Sequence, residues 1–268
     1  MKKILLASAI TVSLFSVSAQ AAPINQTLND RLAFRIGPFF PSIDTKVKVG
    51  SQEQDFEDYL DDHATTAAVK GIWRISNHFR LNFGYWAIDR DDSTSLGISV
   101  PIGPITVPAT ATITASFDSS LASAALGWSF VRTDTTEFGV DLGLSALSLK
   151  SALDASVAGI KIASFTALDE TYPLPTVGVY LTQALSPKWS FEARFSGIGL
   201  SIGEDFKGTV IDAMGAVEFR PWQNVGFGLA YVYNEADAEL KDVGDGLDIK
   251  WEYQGPFAYL TFGFGEVN

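Results

Sequence analysis

Two histidines, His63 and His78, are the only imidazoles in the 268 residues, and there is no cysteine. His63 follows Asp61 and Asp62; with Asp89 and Asp91 it offers the side chains for hydrolysis on Asp/His and Asp/Asp pairs. His78 closes the short segment Ser76-Asn77-His78, where a simple turn residue is the better reading. No serine stands at a recognisable spacing from either histidine, so a serine nucleophile has no support. Without cysteine there is no thiolate zinc site, disulfide framework or cysteine nucleophile. The segment from Gln52 to His63 carries six carboxylates, and Asp242, Asp245 and Asp248 gather around Gly244 and Gly246. Carboxylate oxygens suit calcium or magnesium, but the order is not that of a calcium-binding loop. Weak divalent-cation binding at acidic loops is the expectation, with no resident metal or cofactor and no enzyme activity.

A second set of charges recurs at alternate positions inside otherwise apolar stretches. The basic members are Arg35, Lys70, Arg74, Arg80, Arg194 and Arg220. The acidic members are Glu137, Asp141, Glu192, Asp212 and Glu218. Their strands show period two. In Phe79–Tyr85, Phe79, Leu81, Phe83 and Tyr85 share one face, with Arg80, Asn82 and Gly84 on the other. Trp189, Phe191, Ala193 and Phe195 alternate with Ser190, Glu192 and Arg194. Val225, Phe227, Leu229 and Tyr231 alternate with Gly226, Gly228 and Ala230, and Phe138, Val140, Leu142 and Leu144 with Gly139, Asp141 and Gly143. Large apolar residues on one face and small or charged ones on the other are what a lipid-facing strand with a packed polar lumen requires.

The connections support the same architecture. Short turns at 76–78, 132–136, 186–188 and 221–224 alternate with long acidic ones, as in outer-membrane barrels. Trp73, Trp128, Trp189 and Trp222 stand beside the short turns, where an interfacial aromatic girdle belongs. The fold expected is all-β, a transmembrane antiparallel up-and-down β-barrel of about ten strands, with eight or twelve as alternatives. The strands fall near 31–47, 64–75, 79–91, 112–131, 137–150, 172–185, 189–202, 208–220, 225–238 and 248–264. The stretches 93–111 and 151–171 are read as hairpins projecting beyond the membrane, an added membrane hairpin being the alternative.

The chain opens as a secretory signal peptide: Met1-Lys2-Lys3, an apolar run from Ile4 to Val17, then Ala19-Gln20-Ala21. A helical span would need about 20 apolar residues, and no stretch supplies them. Residues 1–21 are assigned to the signal and 22–268 to one barrel domain. Removing two lysines from the 19 basic residues leaves 17 against 31 acids, a formal charge of −14. That charge excludes a nucleic-acid footprint. The eleven alternating charges nearly balance, so the excess acid belongs to the loops. Near balance predicts ion pairs across a narrow lumen, with Arg74 and Arg80 supplying charge opposite Glu192, Asp212 and Glu218.

The last strand, Gly255-Pro-Phe-Ala-Tyr-Leu-Thr-Phe-Gly-Phe264, resembles the C-terminal insertion signal of bacterial outer-membrane proteins, although four residues follow it. Arg35-Ile-Gly-Pro-Phe-Phe-Pro-Ser-Ile-Asp44 resembles the first strand of a family of proteobacterial outer-membrane β-barrel proteins, of OmpA- and OmpW-like architecture without a periplasmic domain. The resemblance implies residence in the outer membrane, contact with its lipid and lipopolysaccharide, and delivery by the insertion machinery. It brings no catalytic motif, and the acids around His63 do not match the omptin pattern. The expected role is envelope structure or surface interaction. A narrow channel for small, perhaps hydrophobic, molecules is the alternative, suggested by Ile98–Ile102 and Val157–Phe165, and a surface hydrolase is the third class.

Overall fold

The computed structural model describes residues 25–49, 52–55, 65–95, 100–102, 105–108, 110–158, 160–202, 206–240 and 247–267. A single turn of helix, α1 (Gln26–Asn29), leads into β1 (Asp30–Phe39), β2 (Ser42–Val49) and β3 (Gln52–Asp55). Then come β4 (Thr66–Arg74), β5 (Phe79–Ser95), β6 (Val100–Ile102), β7 (Ile105–Val107) and β8 (Thr112–Arg132). The chain continues through β9 (Thr136–Val157), β10 (Ile160–Ala184), β11 (Trp189–Ile202), β12 (Phe206–Phe219), β13 (Val225–Leu240) and β14 (Leu247–Glu266). No helix among the described residues is long and apolar enough to cross a membrane.

Ten of these strands, β1, β4, β5 and β8 to β14, pair with their neighbours antiparallel, and β14 pairs back onto β1 to close a barrel. Closure pairs the first strand with the last, so that no terminal edge strand is left open, as a lipid environment demands. Strand β2 continues β1 along β14 in the same register (Phe39↔Phe257, then Ser42↔Gln254). The interruption falls at Phe40–Pro41, and proline has no N–H to give a ladder. The additional strand β3 pairs only with β2, and β6 and β7 form a separate small hairpin. The stretches 93–111 and 151–171 therefore add no barrel strand. The second is the tall end of β9 and β10, paired through Val157↔Ile160.

From Phe138 to Ala146, β9 turns only apolar side chains outward, matching the roughly 9–11 residues of a tilted membrane strand. Leu142 is 67% exposed and Leu229 60%. Above this belt the outward positions become Ser148, Lys150 and Asp154 on β9, and Glu235 and Asp237 on β13. The inward face carries small residues where the lumen holds large rings. A Cβ at Gly139 would collide with the Tyr180 ring, and one at Gly228 with the Tyr259 ring. Glycine there costs strand propensity but makes the space.

Candidate functional site

The lumen is built in two storeys. The storey nearer the short turns holds ionic groups. Glu137, buried on β9, accepts from Arg74 Nε and Nη2 at 3.1 and 2.8 Å and from Ser129 Oγ at 2.7 Å. Arg132 and Arg80 approach the same carboxylate at 3.3 and 3.6 Å, so one acid serves three arginines. Arg35 bridges Glu192 (2.8 Å) and Glu218 (3.1 Å), and its guanidinium faces the Tyr259 ring. Arg194 grips Asp141 through Nε and Nη2, and Asn82 donates to that acid at 3.5 Å. Arg220 pairs with Asp30 and lies 3.6 Å from Glu218. Asp212 accepts from Asn234. Lys70 donates to Met214 Sδ at 3.6 Å.

All eleven charges thus point inward, with pairings of their own. Arg74 and Arg80 serve Glu137 rather than Glu192, Asp212 or Glu218: only β8 stands between β5 and β9, and all three residues lie at the short-turn ends of their strands. Trp73, Trp128, Trp189 and Trp222 are 44–60% exposed, on the outside beside the short turns.

Helix α1 seals this end. Thr27 Oγ1 donates to Glu218 Oε1 at 3.0 Å, and Ser190 Oγ donates to Thr27 Oγ1 at 3.1 Å. Arg132 Nη2 reaches the Leu28 carbonyl, and Arg74 Nη1 the Asp30 carbonyl. Asn25 caps the turn and donates to the carbonyls of Ser186 and Trp189. The chain entering the barrel is thereby laced across its mouth.

The second storey is apolar and aromatic. Trp86 and Trp251 stack at 5.9 Å between ring centres, with Tyr253 edge-on to both. Trp86 Nε1 donates to Tyr253 Oη at 3.1 Å. Phe39 packs against Trp86, Tyr253 and Phe257, and Leu121, Leu147 and Ile88 complete the layer. A lumen filled by charge alone was the expectation; its outer half is a hydrophobic core. Between the storeys lies a cavity of about 50 Å³, with Lys70, Arg194, Asp212 and Asn234 on one side and Trp86, Leu121 and Tyr253 on the other.

Asp30, Arg132, Tyr180 and the aromatic layer were not among the candidates. Arg132 turns inward because a bulge between Ser129 and Val131 shifts the alternation, leaving Phe130 and Val131 both exposed. Parity along β14 could have found the aromatics: Trp251, Tyr253, Phe257 and Tyr259 are all odd-numbered and buried.

Of the candidate chemistry, His78 sits in the short turn with Nδ1 2.8 Å from the Ser129 carbonyl oxygen. Asp89 is an exposed residue near the outer part of β5. Asp61, Asp62, His63, Asp242 and Asp245 lie outside the described residues, as does the segment 1–21. No group of acids and histidines able to hold a metal occurs among the described residues. Above the belt, on the outer surface, Tyr233 donates to Glu235, and Lys250 Nζ lies 3.1 Å from Glu235. The Tyr233 hydrogen bond, then Lys250, holds the Glu235 carboxyl below its usual range. Asp237 is pushed up, first by burial and then by Glu235 beside it.

This architecture defines a class: the chain has the fold of the outer-membrane β-barrels. No protein-family model and no curated protein matches it. Among solved structures it is similar to the outer membrane protease OmpT from Escherichia coli, with a TM-score of 0.55 and 10% identity over 88% of this chain and 97% of that one. The outer membrane protein OprG from Pseudomonas aeruginosa matches at a TM-score of 0.39 and 10% identity, covering 90% and 99%. The toluene transporter TodX of P. putida matches at 0.36 and 10%, covering 91% and 93%. At 10% identity the likeness to OmpT is one of fold.

Proposed function

We propose that this is a closed, non-enzymatic outer-membrane barrel, serving the envelope as a rigid anchor for the β-surface raised beyond the lipid. One observation carries the reading: the lumen is crossed at two levels, by ion pairs centred on Glu137 and Arg35 and by the Trp86–Trp251–Tyr253 layer. A conducting pore needs continuous water, and both layers set buried side chains across its path. Burying this many charges is worth little as stability alone; held together, they fix ten strands around one unyielding axis. Strands β8, β9 and β10 then continue well past the belt, with β9 and β10 paired for eleven residues beyond Ala146. In this reading the belt meets outer-membrane lipid and the raised strands lie within lipopolysaccharide, where acidic loops bind divalent cations weakly. The aromatic last strand is the handle for the insertion machinery.

Planar-bilayer recording tests the closed lumen. The purified protein is expected to insert without steady ion conductance. Large, stable unitary currents would reject the closed barrel and restore the channel.

A further inference from the structure

The barrel wall is split between β10 and β11 near the outer rim of the apolar belt. Strands β10 and β11 pair from Ala184↔Ser190 up to Val177↔Gly197, and there the ladder stops. Both strands continue. Strand β11 stays paired to β12 as far as Ile202↔Phe206, and β10 stays paired to β9 without a break across Pro173↔Ala146 and Pro175↔Leu144. Residues two apart offer their backbone groups to the same neighbour, and proline has no N–H to offer. With the β9 side unbroken, the two missing donors fall on the side of β11. The sequence itself unzips this seam.

Behind the split lies the cavity between the two storeys. Leu174 and Thr176 from β10, Ser196 from β11 and Val210 from β12 line it on the side of the seam. Lys70 from β4 and Arg194 from β11 also line it, together with Asp212 and Asn234. Lys70 has a methionine sulfur as its hydrogen-bond partner, and no described carboxylate oxygen lies within 4 Å of its ammonium. At about 50 Å³ the cavity holds a few waters, one for each ~10–15 Å³. That is room for a carboxylate head but not for a ligand body. Outside the seam, β11 and β12 present Ala193, Gly197, Gly199 and Gly215 interspersed with Phe195 and Ile211; beside Gly215 the space a side chain would take is empty.

We infer that this seam is a lateral binding site for a carboxylate-headed amphiphile of fatty-acid type, its head on Lys70 and Arg194 and its chain lying outward over the glycines of β11 and β12, beside Phe195 and Ile211. The site shares Arg194 with the ionic storey, where that side chain also grips Asp141, but it does not depend on the lumen being closed. Lys70 and Arg194 supply charge-assisted hydrogen bonds in a place shielded from bulk water. Leu174 and Val210 cover the first carbons, and the glycines let the chain leave between the strands.

The test uses the full chain in phosphatidylcholine nanodiscs with carboxyl-¹³C-labelled oleate, read by NMR. A saturable resonance distinct from bilayer oleate is expected, at one equivalent per protein. Lys70→Met should weaken it about tenfold or more, Lys70→Arg should keep it, and Lys150→Met on the raised part of β9 should leave it unchanged. Pro173→Thr with Pro175→Thr returns the two N–H groups, and should close the seam and abolish the resonance. Thr176→Cys with Ile198→Cys gives a second closure in a chain with no cysteine of its own. Oxidation should remove binding and reduction restore it, and heat-modifiable gel mobility checks that each variant folds. Labelled acetate is the second arm: if it binds as well as oleate, the site takes a free carboxylate and the amphiphile is wrong. Oleate binding that survives Lys70→Met, or survives both closures, overturns the site or its entrance.

Discussion

The Arg80 guanidinium carbon lies 3.4 Å from the centre of the Tyr180 ring, and none of the three Arg80 nitrogens has a hydrogen-bond acceptor. A buried guanidinium is here held by a ring face and by Glu137 at 3.6 Å. Such a desolvated cation–π contact is worth about 2 kcal/mol. Tyr180→Leu should therefore destabilise the barrel by roughly that amount in urea unfolding from vesicles. Tyr180→Phe keeps the ring and loses only the hydrogen bond with Ser129, so it should cost about 1 kcal/mol. Equal losses in the two variants would place the effect in the hydroxyl.

Glu137 is the shared counter-charge of Arg74, Arg80 and Arg132. Glu137→Gln leaves three buried cations without it, and breaking a buried pair costs about 3–5 kcal/mol. The unpaired arginines should also draw water into the plug. The expected outcome is a marked loss of stability together with small, flickering currents in bilayers where the parent is silent. A variant as stable and as silent as the parent would show that the arginines do not depend on this acid.

The outward face was legible because lipid accepts one kind of side chain at every second position of every strand, and Leu142, Leu229 and Phe195 obey that rule. The inward charges were legible by the same parity. What parity could not give was partners: which carboxylate a long arginine reaches depends on where the strands stand around the wall, and Arg74 reaches Glu137 three strands on. The aromatic layer stayed hidden because the lipid face of β14 was read from the even positions Leu260, Phe262 and Phe264, whereas Trp251 and Tyr253 stand at odd positions beside Lys250, Glu252 and Gln254 and turn inward. Arg132 was lost to a bulge, and Asp30 to its place at the junction of α1 and β1. The seam at Pro173 and Pro175 shows in the sequence as two prolines, but its neighbour is known only once β10 is set beside β11.

Above the belt, Glu235 has its carboxyl held low, first by the Tyr233 hydroxyl and then by Lys250. A depressed carboxyl adds stability that is present above its unfolded value of about 4.3 and lost as pH falls through the folded value. The Lys250 ammonium is raised by Glu235, so its contribution is present below about 10.4 and lost as pH rises through its folded value. The pair should therefore hold the β13–β14 extension through neutral pH and release it at both extremes. Tyr233→Phe should move the Glu235 titration upward when followed by NMR of a carboxyl-labelled sample. An unmoved midpoint would mean that the hydroxyl does not govern the acid.

The lipid face gives the sharpest contrast between neighbours. Leu142 and Leu229 are the most open of the belt side chains on β9 and β13, while Asp141 and Ala230, next to them in the chain, are buried in the lumen. Arginine at a lipid-facing position near the bilayer midplane costs about 2–4 kcal/mol, falling toward the interfaces. Leu142→Arg and Leu229→Arg should each lose that much in equilibrium unfolding from bilayers. Trp222→Arg, beside the short turn, should lose about 1 kcal/mol or less, because an arginine there reaches the headgroups. Ala230→Arg should fail for a different reason, since it drives a long cation into the closed layer against Phe257. The two failures separate by solvent. In detergent micelles, which adapt around a charge, Leu142→Arg and Leu229→Arg should recover most of their stability, and Ala230→Arg should not. If all of these variants recovered together, the side of the wall that each residue faces would have been assigned wrongly.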